Sequence, residues 1–457
     1  MFLKNKFTMS HNDNTLNFEE INKQFIHWFC SNGGTISPKI SFKDYSSENA
    51  GRGVVSVDDI EPFEVLFNIP HSIVLSEKTS SLKDLISSSE FEMLSKINSW
   101  FPLILCMMYE SQKENSLWKP YFDILPREFD TPMFWNEDDL SELEGTGVID
   151  KIGKADAEKQ FNDHFLPIIQ SNSSIFDSNI HNLELFHCMG SLVMANAFQD
   201  KIRNKNIEEN QDKNEEDEED EENEDEEDEK EEITMMPMAD MLNHKTGFNN
   251  ARLFRDKGLL EMTAIKKIKK GEQIYNTYGE LCSADLLRKY GFVDENNMYD
   301  IVELNGQFVV DTLSIDEDTK NKKIEMLLEE DILDDIFVLD TTCEIPPELI
   351  ITAKVMRMDK AQFKKLQKSE KFPEPKMNLD IKQSLIQLFE KRLAMYKTSI
   401  KDDDEISKSN NISLRIKYII VMRLGEKRIL QNLLNNLNDW NGDDERETNR
   451  KKRKIKD

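Results

Sequence analysis

The chain has 457 residues, and its 88 Asp and Glu against 59 Lys and Arg give a formal net charge of −29; the length suits two or three compact units. No run of 18 or more apolar residues occurs, and the start, MFLKNKFTMSHNDN, lacks the apolar stretch and small-residue cleavage site of a secretory signal. This excludes a membrane-spanning helix and implies a soluble intracellular protein.

In chain order, Phe18, Ile21, Phe25, Trp28 and Phe29 space as one helical face that stops at Gly33-Gly34, and Ile36 to Ile40 reads as a strand. Ala50-Gly51-Arg52-Gly53 then precedes the strand-like VVSV, a turn at Ile60-Glu61-Pro62, and an alternating run from Glu64 to Ile69. Two glycines flanking one residue either form a simple turn or let backbone approach a ligand. Apolar helices are expected from about Trp100 to Ser111 and from Leu183 to Phe198. The five cysteines, Cys30, Cys106, Cys188, Cys282 and Cys343, have no C-x-x-C or C-x-C spacing. That argues against a disulfide framework and against a zinc site, so no metal is expected.

Charge is unevenly placed. From Glu208 to Glu232 the chain is almost continuously Asp and Glu, supplying about 17 of the net negative charges. Such a tract repels itself and reads as a disordered insertion, with a lure for a basic substrate as the sharper alternative. Arg450 to Lys456, RKKRKIK, is the opposite. It reads either as a nuclear import signal or as a solvated tail.

The stretch from Pro237 to Val293 is the most informative. In PMADMLNH, Met238, Met241 and Leu242 surround Asp240, Asn243 and His244, so polar groups sit in an apolar stretch where they need partners. MTAI and EQIYNTY are β-rich runs separated by Lys-Lys-Gly, a hairpin-like signal. Leu281, Ala284, Leu287 and Tyr290 then space as a helical face closed by Gly291. Taken singly, these residues read equally as core filler. From about Asp316 to Leu437 the runs IKQSLIQLFEKRLAMY and ISLRIKYIIVMRLGEKRILQNLLNNL predict an all-helical domain, and no internal repeat stands out.

Taken together and in this order, the Gly51-Arg52-Gly53 element, the Glu61-Pro62-Phe63-Glu64 turn, Asn243-His244 and Asn276-Thr277-Tyr278-Gly279 resemble the signature segments of SET-domain methyltransferases. Further strings, among them SPKIS, WKPYF, PMFW, GTGV, LVMANAFQ, KYGFV and RLGEKRIL, are similar to the split-SET group typified by the Rubisco large-subunit methyltransferase. The resemblance implies an α+β chain: a β-rich SET fold with a helical insertion, followed by an all-α C-terminal substrate-binding domain. The corresponding boundaries are 17–80 for the N-terminal SET part, 81–206 for the helical insertion and 207–232 for the acidic insertion. The C-terminal SET part takes 233–300, the helical domain 310–440 and the basic tail 441–457.

What the resemblance implies for function is methyl transfer from S-adenosyl-L-methionine to a lysine amine of a protein substrate, with neither nucleic acid nor membrane as direct partner and the nucleus as location, the cytoplasm being kept open. Cofactor contacts fall on Ala50, Gly51, Arg52, Gly53, Asn196, Asn243, His244, Tyr278 and Tyr290. Tyr278 takes the catalytic position, and Trp118, Ala197, Gln199, Asp240 and Tyr290 line the substrate side. Asn196 stands where the resemblance has a tyrosine, a departure that bears on its cofactor contact and on how many methyl groups are added. Such a transfer needs alignment and exclusion of water rather than a covalent nucleophile, and a protein general base is optional. Two alternatives stay open: histidine methylation by the same scaffold, and a non-catalytic SET scaffold that binds basic proteins.

Overall fold

The computed structural model describes residues 17–201, 231–256, 259–409 and 411–441. The basic tail lies outside them, as does the acidic tract except for Glu231 and Glu232, which begin a strand. The chain forms two compact units, one from Met1–Phe129 with Gly153–Tyr278, the other from Asp130–Ile152 with Gly279–Asp457.

Among the described residues the first unit holds ten strands: β1 (Thr35–Ile36), β2 (Ile40–Asp44), β3 (Arg52–Ser56), β4 (Val65–Ile69), β5 (Ala197–Lys201), β6 (Glu231–Met235), β7 (Asn243–His244), β8 (Ala251–Asp256), β9 (Leu259–Ala264) and β10 (Gln273–Asn276). They make two four-stranded sheets, ordered β1-β4-β9-β8 and β2-β3-β10-β7, and the separate pair β5-β6. The expected strand from Ile36 to Ile40 is two strands in different sheets. Pro38 has no N–H to give to a ladder, and the chain turns there, Ile40 N donating to Ser37 O at 3.3 Å.

The expected hairpin between MTAI and EQIYNTY is also not one. β9 pairs with β4 and β8, while β10 pairs with β3 and β7. The Lys-Lys-Gly turn therefore carries the chain from one sheet to the other, beside the Ile60-Glu61-Pro62 turn, which makes the reverse passage from β3 to β4. Reciprocal backbone bonds between Ile60 and Ile268, at 2.9 and 3.0 Å, lock the two passages together, and both side chains are fully buried. Gly271, at φ +89°, supplies the left-handed residue that the second turn requires.

Helices cover this core. Phe18–Ser31 is capped by Asn17 and buries Phe25, Trp28 and Phe29. Phe101–Gln112 is apolar almost all round and packs on Leu183–Asn196. The latter stops two residues before the expected Phe198, because Ala197 onward gains ladder bonds to β6.

The second unit is mainly helical, as expected, but it also contains an antiparallel pair, β11 (Ile301–Asn305) and β12 (Ile336–Asp340). Residues 130–152, placed by linear reading in the helical insertion, and 279–300, placed in the SET part, both belong here. Trp135, Leu143 and Val148 share a buried cluster with Cys282, Leu287, Ile419 and Met422. The long helix Leu414–Asp439 turns three charges of RLGEKRIL inward, Arg423, Glu426 and Lys427, and leaves Arg428 exposed. Arg423 Nε donates to Asp403 Oδ2 at 3.1 Å, Lys427 Nζ reaches the same oxygen at 2.6 Å, and Thr398 Oγ1 donates to Oδ1 at 2.8 Å. Glu426 accepts from Tyr396 Oη at 2.7 Å and from Gly147 N at 3.1 Å.

Removing one partner from such a cluster leaves buried charge uncompensated. Asp403→Ala should lower the unfolding free energy by about 3–5 kcal/mol in urea denaturation. A change below about 1 kcal/mol would show that the cluster contributes little.

Candidate active site

The site grows from the β3-β10-β7 edge. Val54 and Val55 lie opposite Ile274 and Gln273, and β7 runs parallel to β10 with Asn243 opposite Tyr275 and His244 opposite Asn276. Asn250, which sequence reading missed, is nearly fully buried and pins β10. It accepts from Tyr275 N at 2.8 Å and donates from Nδ2 to Gln273 O at 3.0 Å.

The two glycines serve different ends. Gly51, at φ +60°, closes the loop from Tyr45, whose N–H donates to Gly51 O at 2.6 Å. Nothing lies within 4 Å of where a Cβ on Gly51 would stand. Gly53 lies inside β3, and two side-chain amides converge where its Cβ would be: a Cβ there would stand 2.5 Å from Gln273 Nε2 and 2.8 Å from Asn243 Nδ2, so those amides would have to move. Both of those nitrogens are buried and have no hydrogen-bond partner among the described residues. Ala50 is exposed at the loop end. The Arg52 side chain turns away, its Nε donating to Asn22 Oδ1 at 3.0 Å and its Nη1 to Ile124 O at 2.5 Å, over the ring of Phe18. Burial pulls its pKa down to about 10. Arg52 thus contributes backbone to the loop and an anchor to the fold.

Tyr278 and His244 form one piece. The rings stack with centroids 5.0 Å apart, Tyr278 N donates to His244 Nδ1 at 3.0 Å, and Tyr278 Oη donates to Leu242 O at 3.1 Å. An accepting Nδ1 places the neutral ring's proton on Nε2. Asp240 sits behind Met241 and Leu242 with Oδ2 bonded by the Tyr121 hydroxyl, while Oδ1 is buried without a partner among the described residues. Burial pushes the carboxyl up to about 7 against the opposing pull of Tyr121 and of backbone N–H groups. The apolar setting of PMADMLNH therefore does hold unsatisfied polar atoms, as its sequence implies.

Other expected residues are placed less uniformly. Trp118 does not face outward: it is 3% exposed, and its indole N–H donates to Ile73 O at 2.9 Å, which makes it core. The aromatic of WKPYF that reaches the site is Tyr121, three residues on. Asn196 ends its helix half-buried, Ala197 begins β5 half-buried, and Gln199 is exposed on the same strand. Tyr290 belongs to the second unit, at the last position of helix Ser283–Tyr290, closed by Gly291 at φ +77° as expected. Burial, with Asp285 nearby, raises its hydroxyl to about 12. Among the described residues no group of three or more His, Cys, Asp or Glu side chains is arranged to hold a metal.

Comparison with known proteins follows the same lines. A SET domain matches residues 51–279, half of the chain, and a Rubisco LSMT substrate-binding domain matches residues 316–430. The chain belongs to the SET-domain family. Ribosomal lysine N-methyltransferase 4 of Saccharomyces cerevisiae is 32% identical over 361 residues, 74% of this chain and 72% of the yeast protein. N-lysine methyltransferase setd6 of Danio rerio is 29% identical over 447 residues, 90% of this chain and 94% of the fish protein. Among solved structures, the SET domain of LSMT bound to lysine and AdoHcy aligns with a TM-score of 0.67 at 19% identity, over 93% of this chain and 92% of that one. At that identity the likeness shows the fold alone. This SET-domain protein thus carries the β-rich fold and helical C-terminal domain that its motifs imply.

Asp240 also yields a pH test. Its pKa is raised in the folded state, so the stability its proton brings is full below the ordinary carboxylate range and is lost as pH rises through about 7. The melting temperature of Asp240→Asn relative to wild type should therefore climb between about pH 5 and about pH 8. A constant offset would contradict the raised value.

Proposed function

We propose that this SET-domain protein is an S-adenosylmethionine-dependent methyltransferase that modifies the side-chain amine of a lysine in a protein substrate. The observation that carries the reading is the convergence at Gly53 of two buried amide nitrogens, of Asn243 and Gln273, that lack hydrogen-bond partners among the described residues. Orphaned buried donors are costly to a fold, and a polar ligand end at that point recovers the cost. The family match and the relatives named as lysine N-methyltransferases support the same chemistry.

When bound, the cofactor supplies a methyl group on a positively charged sulfonium. The residues of this chain have to hold the reactants in line and keep water out. In this reading the backbone of Ala50, Gly51, Arg52 and Gly53, with Asn243 and His244, holds the cofactor. Tyr278 commits its proton to Leu242 O, so its oxygen lone pairs suit a cationic methyl or ammonium group. The unpartnered Oδ1 of Asp240 suits the ammonium of an arriving lysine. Tyr290, Ala197, Gln199 and Asn196 take their roles from the resemblance alone. The partner is a protein. Among the described residues no helix is long and apolar enough to cross a membrane. RKKRKIK at 450–456 would direct the chain to the nucleus, which a fluorescent fusion with and without the tail tests.

The decisive experiment incubates the purified protein with labelled cofactor and cell extract, then identifies the modified residue by mass spectrometry. Label on lysine is the expected result. Label on histidine, or no transfer with no cofactor binding, would replace the reading with one of its two rivals. Tyr278→Phe should slow transfer by about ten- to a thousandfold while leaving cofactor affinity nearly intact, as a group used chiefly in the transition state would. Undiminished turnover would remove Tyr278 from the catalytic position.

A further inference from the structure

We propose that Gln273 is a cofactor-binding residue of this site: its carboxamide, paired with that of Asn243, holds the amino-acid end of S-adenosylmethionine against Gly53. The proposal rests on the reading above that the chain uses this cofactor. No sequence motif points to Gln273, which lies three residues before the NTYG segment and opposite Val55 on the neighbouring strand.

Three observations converge on it. Gln273 Nε2 and Asn243 Nδ2 both approach the point where a Cβ of Gly53 would stand, at 2.5 and 2.8 Å, with the Tyr45 ring edge at 3.0 Å as a third wall. Both nitrogens are buried and lack partners among the described residues. The backbone at Gln273 cannot swing away, because its carbonyl accepts from Asn250 Nδ2 and its neighbour Ile274 is locked in register opposite Val54. The side chain is thus held by a rigid strand with its amide nitrogen in the room that the missing Cβ of Gly53 leaves, beside the amide of Asn243.

The chemistry selects the ligand end. A carboxamide turned by half a revolution exchanges its N–H₂ and C=O, so a pair of them can offer donors and acceptors together without net charge. That matches a zwitterion, whose ammonium needs an acceptor and whose carboxylate needs a donor, and the amino-acid end of the cofactor is such a group. The competing arrangement is that one amide turns over and the two bond each other, in which case Gln273 is a brace of the fold.

Calorimetry on the full chain separates these. S-adenosylhomocysteine keeps the amino-acid end and cannot react; 5′-methylthioadenosine keeps the nucleoside and thioether but lacks that end. Gln273→Leu should weaken S-adenosylhomocysteine by about tenfold or more, leave methylthioadenosine unchanged, and leave the melting temperature of the ligand-free protein equal or higher, since an orphaned donor is removed. Gln273→Glu, close to isosteric, should show the same selective loss through repulsion of the carboxylate. Unchanged S-adenosylhomocysteine affinity in both variants overturns the proposal. So does a lower melting temperature with both ligands weakened alike, the signature of a brace. If the wild-type protein binds neither ligand, the cofactor reading itself falls, and this proposal falls with it.

Discussion

Val54 and Val55 lie opposite Ile274 and Gln273, and the site's geometry depends on that pairing. It joins segments from opposite ends of the first unit, with the helical insertion and the acidic tract between them in sequence. Closing so long a loop costs entropy before any contact rewards it. The reciprocal Ile60–Ile268 bonds and the reach of Ser56 Oγ to Lys269 O, at 2.5 Å, show what holds the closure. Two chain passages run side by side between the sheets, each supplying the other's backbone bonds. Only with that pairing made does Gly53 come beside Asn243 and Gln273, whose amide nitrogens then occupy the room its missing side chain leaves.

Buried polar groups are handled differently at one place in the second unit and one in the first. In the second, Asp403, Arg423, Lys427 and Thr398 satisfy one another, and Glu426 accepts from Tyr396 and Gly147. A cluster so completely paired specifies packing and asks nothing of a ligand. In the first, Asp240, Asn243 and Gln273 keep buried atoms without partners within a single neighbourhood of strands. Hydrogen bonding rather than burial separates the two places, and since unpaired buried atoms also occur elsewhere among the described residues, Trp28 Nε1 and Thr352 Oγ1 for example, it is the convergence of several that distinguishes this one.

Tyr278 illustrates how the fold assigns a role. Its ring lies on His244, its N–H holds His244 Nδ1 and its hydroxyl donates to Leu242 O. Three contacts to adjacent residues of one segment fix both the aromatic and the oxygen. The two motif segments, far apart in sequence, act as one rigid element.

By itself the sequence determined the family, the order of its segments, the helical character of the C-terminal part and the approximate place of several helices, because those rest on local signals: periodicity, caps, and motifs whose residues adjoin one another. Gly51, Asn243, His244 and Tyr278 stood out as candidates for that reason. Tertiary structure alone decided which strands meet, so the apparent hairpin before NTYG became a passage between sheets, and the run after Gly34 became two strands. It also decided which residue of a motif turns inward. Trp118 went to the core and Tyr121 to the site, and residues 130–152 joined the second unit through Trp135, Leu143 and Val148. Gln273 and Asn250 carry no local signature, because what singles them out is the position of side chains remote in sequence. Pairing and burial depend on contacts summed over the whole chain, and no window of sequence contains them.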